Sequence, residues 1–278
     1  MSDTPRLADL HCHLVPGVDD GAETFRDALV WLEAFAEDGI TRVATTPHLP
    51  ARLADSDYRG RVEDRFSELA ARSEDRLASV ELSLAFEIRL DGAPVDPADE
   101  GLWLGPGRHV LVEFQGLVLP AEPQRELSAL LDAGLHPVLA HPERYQGIGD
   151  DRAWPGLWRE MGVRLCVNAG SLWGAYGREP QEVARGMLAR GEADLIGSDH
   201  HARPHRSDTV REAWDLLRDA GHPGAADLLA GENTRAVLDG GDLAAVPPAP
   251  LDSGEEDGSG VGTAGRSSWW RFLGADDR

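Results

Sequence analysis

The chain has 278 residues, 41% of them hydrophobic and 27% charged, which is enough apolar content for one sizeable core. Its 49 acidic residues against 27 basic ones give a formal net charge of −22, and every basic residue is arginine. That balance excludes a nucleic-acid binder, which needs a basic footprint, and a protein held to an anionic membrane by surface charge.

The first five residues, Met1-Ser2-Asp3-Thr4-Pro5, have neither the basic nor the apolar region of a signal peptide. No run approaches the ~18 apolar residues of a membrane span, so a soluble, cytoplasmic protein without membrane insertion is expected. Apolar or β-branched runs then follow in series at residues 7–13, 42–46, 80–88, 110–114, 137–141, 164–168 and 194–198. Between them lie amphipathic segments at 24–37, 58–77, 122–131, 179–189 and 209–219. In the first of these, Phe25, Ala28, Leu29, Leu32 and Phe35 recur at helical spacing. Gly39, Gly134, Gly162 and Gly191 each close a helical stretch just before a strand. Seven strands alternating with helices predict βα units and a parallel sheet, open or closed into a barrel. Residues 89–104 read as irregular. At Pro247 the composition shifts to Pro-Pro-Ala-Pro and then to an acidic Gly/Ser-rich stretch. This predicts one domain over 1–246 and a disordered tail over 247–278 that ends in Trp269-Trp270-Arg271-Phe272-Leu273.

Histidines and carboxylates gather at the predicted strand ends, the rim where βα architectures assemble their sites. His11 and His13 share one face of the first strand, while Cys12 faces the other way and reads as packing. Asp19 and Asp20 follow in a turn, Asp19 as a candidate helix cap and Asp20 as the candidate ligand. His48 follows the second strand. Glu87 and Glu113 sit inside apolar strand runs, where a carboxylate is costly unless paired or bound to metal. His141 ends the fifth strand; Asp199 and His201 end the seventh with shared parity, and His200 points elsewhere. Five histidines and four carboxylates exceed what one ion needs and suit two or three clustered ions. Imidazole and carboxylate without thiolate favour Mn, Fe or Zn over Ca, and such clusters serve hydrolysis of phosphate esters or amides. His109, His136, His200, His205 and His222 lack strand-end partners and read as packing or surface residues. Cys12 and Cys166 form no CxxC pair, and neither has an arginine six positions on, so the thiol-based phosphatase arrangement is absent.

These motifs, His11-Cys12-His13, Asp19-Asp20-Gly21, Thr46-Pro47-His48, Glu87, Glu113-Phe114, His141-Pro142-Glu143-Arg144-Tyr145 and Ser198-Asp199-His200-His201, resemble the polymerase and histidinol phosphatase (PHP) superfamily. Within it the chain is similar to the manganese-dependent bacterial protein-tyrosine phosphatases of capsule and exopolysaccharide gene clusters, from about residue 7 to 238. The resemblance implies a distorted (β/α)7 TIM-like barrel holding three divalent ions, manganese first and Fe or Zn as alternatives. It implies one ion on His11, His13, Glu87 and Asp199, a second on Glu87, Glu113 and His141, and a third on Asp20, His48 and His201. Arg144 and Arg206 match the family's phosphate-side arginines, with Arg203 as a substitute for Arg206. The implied partner is a phosphotyrosine protein, the tyrosine-rich tail of an autokinase controlling polysaccharide export. The expected mechanism is direct in-line attack on phosphorus by a hydroxide bridging two ions, with Arg144 countering the developing charge. Hydrolysis of histidinol phosphate or another small phosphomonoester, and a non-catalytic metal-binding module, are the competing readings.

Overall fold

The computed structural model describes residues 6–74, 77–149, 153–203 and 209–251. Thr24 opens the first helix, α1 (Phe25–Glu37), with a capping box: its hydroxyl accepts from the Asp27 N–H while the Asp27 carboxylate accepts from the Thr24 N–H. The apolar stripe of α1 then buries Ala28, Leu29, Trp31, Leu32 and Phe35 against the core. Thr209 repeats the device with Glu212 at α6 (Val210–Asp219).

The remaining helices are α2 (Asp57–Glu74), α3 (Pro123–Asp132), α4 (Trp154–Met161), α5 (Arg178–Arg190), α7 (Pro223–Asp227) and α8 (Asn233–Asp239). They alternate with strands β1 (Leu7–Cys12), β2 (Ile40–Thr45), β3 (His48–Pro50), β4 (Glu81–Leu84), β5 (Glu87–Leu90), β6 (His109–Phe114), β7 (His136–Ala140), β8 (Arg164–Asn168) and β9 (Leu195–Gly197). All pairings are parallel, in one sheet of order β1-β2-β4 and a second of order β3-β5-β6-β7-β8-β9. The α/β class with parallel sheets is therefore as expected from the alternation. Beyond β9 the chain returns to β1: Asp199 donates its N–H to the His11 carbonyl at 2.7 Å, and His13 to the His200 carbonyl at 2.8 Å.

Two departures bear on the site. The run expected as one strand over 80–88 breaks between Leu84 and Glu87, and β2 breaks at Thr46-Pro47 before β3. Pro47 has no N–H to donate, so the ladder skips it. Single bonds carry the pairing across the breaks, from Ala85 N–H to the Thr45 carbonyl (3.0 Å) and from Glu87 N–H to the Pro47 carbonyl (3.2 Å). This sets His48 level with Glu87. Helix α4, closed by the expected glycine, is two turns long, carries Pro155 in its first turn where a missing N–H costs nothing, and stops at Gly162 (φ 104°).

The composition shift at Pro247 does not mark the end of packing. Ala249 is fully buried and donates its N–H to the Leu188 carbonyl at 2.9 Å, and the Pro250 carbonyl lies 2.8 Å from His222 Nε2. Polar residues pin the outer ends of the strands. Asp194 accepts from the Leu165 N–H and the Arg159 guanidinium, and Asn233 ties the Asp194 and Ala244 carbonyls together. The segments around Arg206 and Trp269-Trp270 lie outside the described residues.

His109, buried at the start of β6 beside His136 (ring centroids 5.3 Å apart), is pushed down to about 4 by desolvation and then by the charges of His136 and Arg164. A histidine whose folded pKa lies below its unfolded value binds fewer protons folded than unfolded, so its contribution to stability is full above about pH 6.5 and falls away toward pH 4. Urea denaturation at pH 7 and pH 5 should show His109→Gln losing roughly 2 kcal/mol less over that interval than the parent.

Candidate metal centre

All nine expected donors, Asp20 of the turn included, meet in one pocket. His11 and His13 leave β1 on one face, and Cys12 turns away with its Sγ 3.7 Å from the Ala44 carbonyl. The donors form three overlapping groups, each within 4.8 Å: His13, Asp20, His48 and His201; His11, His13 and Glu87; His48, Glu87 and Glu113. Asp199 Oδ1 lies 3.4 Å from both His11 Nε2 and His13 Nε2, and His141 Nε2 lies 2.8 Å from Glu87 Oε1. His200 packs away from the pocket against Trp31, the rings tilted by 55° with centroids 3.9 Å apart, as its parity requires.

The grouping departs from the sets implied by resemblance at His13, which also joins Asp20, His48 and His201, and at His48. His48, not His141, stands beside Glu113, with Nδ1 3.1 Å from Glu113 Oε1 and 2.8 Å from Glu87 Oε2. The β3–β5 register puts it there, while His141 pairs with Glu87. His141 (φ 36°) and Asp199 (φ 51°) both hold left-handed backbone at the ends of their strands, a strain that persists where surrounding structure enforces it.

Charge in the pocket is arranged for cations. Burial works against ionisation of Glu87 and Asp199, yet the neighbouring histidines, His11 foremost, hold both carboxyls well below the usual range. Burial likewise opposes protonation of His13, but the Asp19 and Asp199 carboxylates outweigh it and push the imidazole up to about 10. His48 is driven up by Asp20, Glu113 and Glu87 against its own burial, and Asp20 is driven down by His201 and His48. A divalent ion meets the same demand by replacing protons. The donor set fits such ions. His11 Nε2, His13 Nε2 and Glu87 Oε2 are buried without hydrogen-bond partners; His11 Nε2 lies 3.4 Å from Glu87 Oε1 and His13 Nε2 3.5 Å from Glu87 Oε2, close to the ~3.0–3.4 Å between adjacent ligands on bonds of ~2.1 Å. His13 donates Nδ1–H to Asp19 (2.8 Å) and His201 donates Nδ1–H to the Asp199 carbonyl (2.8 Å). Each thereby presents Nε2 to the pocket, as metal-binding histidines do when an outer partner fixes the tautomer.

A supporting layer is only partly visible in the sequence. Asp19 does not cap α1, a role Thr24 fills; it orients His13 and also accepts from the Gly21 and His48 N–H groups. Asp9 is fully buried and accepts from the His11 and Ser198 N–H groups, fastening β1 to the segment beyond β9. The rule that singles out Glu87, a carboxylate inside an apolar strand, also applies to Asp9. Asn168 donates to Asp199 Oδ2 at 2.7 Å, and Glu143 accepts from the Asn168 N–H and the Ser171 hydroxyl. Arg89, two residues beyond Glu87, donates Nε–H to Glu113 Oε1 at 2.9 Å. Gly21 and Gly197 are spacing requirements: a Cβ would lie 2.1 Å from the His13 carbonyl oxygen at the first and 2.8 Å from the His11 Cβ at the second. Of the expected arginines, Arg144 donates Nη1–H to Asp199 Oδ2 at 2.5 Å; Arg206 lies outside the described residues; half-exposed Arg203 has Nη2 3.6 Å from Asp20.

The sequence matches the family model described as capsular polysaccharide synthesis, CpsB/CapC, over residues 7–239. It is 26% identical to the tyrosine-protein phosphatase YwqE of Bacillus subtilis (strain 168) over 251 residues, 88% of this chain and 96% of that protein. It is 25% identical to a putative tyrosine-protein phosphatase CapC of Staphylococcus aureus over 215 residues, 75% of this chain and 82% of that protein. Its fold superposes on a crystal structure from work on YwqE of Bacillus subtilis and CpsB of Streptococcus pneumoniae, described as unique metal-dependent tyrosine phosphatases. The TM-score is 0.71 at 22% identity, covering 88% of this chain and all of the other.

Removing the partner that orients His13 should loosen metal without unfolding the protein. Asp19→Asn is expected to weaken Mn2+ binding by about 10- to 100-fold in calorimetric titration. The far-UV circular dichroism should be unchanged.

Proposed function

The chain belongs to the capsular polysaccharide synthesis CpsB/CapC family, and from that membership and the geometry of its metal centre we propose a metal-dependent phosphatase that removes phosphate from tyrosine on protein. The observation that carries the reading is the convergence of nine imidazole and carboxylate donors, several with buried unpartnered atoms, beside the guanidinium of Arg144. We propose that His11, His13, Asp20, His48, Glu87, Glu113, His141, Asp199 and His201 hold three divalent ions, manganese in the cell, with Glu87 shared between ions.

Bound ions of this kind supply Lewis acidity toward phosphoryl oxygens and bring the pKa of water toward neutrality. The chain's own residues do the rest. Arg144, anchored to Asp199, offers its fork to non-bridging oxygens of the substrate, and Arg203 adds positive charge on the Asp20 side, with Arg206 the other candidate phosphate-side arginine by resemblance. Asn168 and Arg144 together fix the Asp199 carboxylate, and Arg89 fixes Glu113. Neither cysteine serves as a nucleophile in this scheme: both are fully buried, and burial pushes both thiols well above their usual range.

The fold reading extends in the same way. With β3 continuing β2, β5 continuing β4 and the bonds between β1 and the residues after β9, seven strand units form a closed, distorted (β/α)7 barrel in this proposal. No helix among the described residues is long and apolar enough to cross a membrane. The proposed substrate is the phosphorylated tyrosine-rich tail of an autokinase in the cytoplasm. A net charge of −22 does not oppose this anionic partner, because three divalent ions and Arg144 reverse the sign locally.

Phosphotyrosine peptide, histidinol phosphate and a sugar phosphate should be assayed side by side with Mn2+. Phosphotyrosine turnover should lead the panel, disappear with a chelator, return with Mn2+, and fall by at least about 1,000-fold in His11→Ala and Asp199→Ala. Turnover that survives chelation, or that survives both substitutions but not Cys12→Ala, contradicts the proposal; preference for histidinol phosphate replaces the substrate assignment alone.

A further inference from the structure

We propose that Tyr176 is a specificity-determining residue, an aromatic wall beside Arg144 that favours aryl over alkyl phosphates. The inference rests on the phosphatase reading and deepens it. Tyr176 lies in the loop between β8 and α5, and its ring lies under the Arg144 guanidinium, with Cζ 4.1 Å from the ring centroid. The same guanidinium donates Nη1–H to Asp199, a member of the metal centre, so Arg144 joins the ring to the reacting end of the pocket. A phosphate on the Arg144 fork therefore carries its ester group alongside Tyr176. An aryl group there gains an offset or edge-to-face contact worth more than its area, and an alkyl group does not.

The loop is built to hold this position. The Leu172 carbonyl accepts from Arg185 Nε–H at 2.9 Å and from Gln181 Nε2–H at 3.3 Å, both on α5. Gly174 (φ 81°) and Gly177 (φ 103°) supply left-handed turns on either side of Tyr176. Tyr176 itself is half-buried, seated against the body with part of its surface open to solvent. Nothing in the metal-ligand pattern requires an aromatic residue here; its place against Arg144 is a separate element of the pocket.

The test uses the full-length, Mn2+-loaded protein and two non-hydrolysable inhibitors, phenylphosphonate and methylphosphonate, competing with p-nitrophenyl phosphate. Tyr176→Ala should weaken phenylphosphonate about three- to tenfold more than methylphosphonate, and Tyr176→Phe should restore the parental ratio. Equal weakening of both would reduce Tyr176 to a support for Arg144 and overturn the proposal, as would an unchanged ratio. A parent that hydrolyses no phosphomonoester would instead remove the phosphatase reading, and this inference with it. Thermal denaturation of both variants, expected within about 3 °C of the parent, separates lost recognition from lost folding.

Discussion

Glu87 is a fully buried carboxylate with no arginine paired to it among the described residues, and its counter-charge comes from imidazoles. His11, His13, His48 and His141 all approach its two oxygens within 3.5 Å, from β1, from β3 and from the end of β7. A carboxylate so desolvated is tolerated only if positive charge is built around it, by protons on those rings or by metal ions in their place. The arrangement of the strand ends follows from that requirement. Strand β5 carries Glu87 into the middle of the pocket, the break at Pro47 sets His48 level with it, and left-handed backbone at His141 and Asp199 brings the last donors inward.

Around this centre a second set of polar groups does the orienting. Asp19, Asn168 and Arg89 each hold a donor of the centre by one hydrogen bond, while Glu143 holds Asn168 and Asp9 holds the backbone of β1 against the segment after β9. Asp9 and Glu143 of this set are two of the buried carboxylates outside the pocket's own donors. Asp194 is another: it neutralises Arg159 and secures β8 at a distance from the centre. The chain's acidity thus has two parts, a solvated surface excess and a small buried set whose charge calls for cations.

Much of the centre is legible in the order of residues. His11 and His13 can be paired, and Cys12 and His200 set aside, because strand side chains alternate. Glu87 and Glu113 stand out because an apolar run makes a lone carboxylate conspicuous. Asp19 and Asp20 cannot be separated in this way, since a turn has no parity; the hydrogen bond to His13 gives Asp19 its orienting place. Arg89 and Asn168 sit in segments whose local pattern is ordinary, and their importance arises from groups 24 and 31 residues away in the chain; Tyr176 follows a strand end, but its place against Arg144 depends on a residue 32 positions away.

The amino-acid sequence alone determines the alternation of strands and helices and the glycine stop at Gly162, and it marks out nine candidate donors and two cysteines outside any thiol-phosphatase pattern. Those are local properties, set by periodicity, side-chain type and backbone preference within a few residues. Tertiary packing fixes how the strands are interrupted, that β1 meets the segment after β9, that His48 rather than His141 stands beside Glu113, and that packing continues past Pro247 to Ala249. These depend on register between strands distant in sequence, where a shift of one residue reverses every side chain while the local pattern of each strand stays the same.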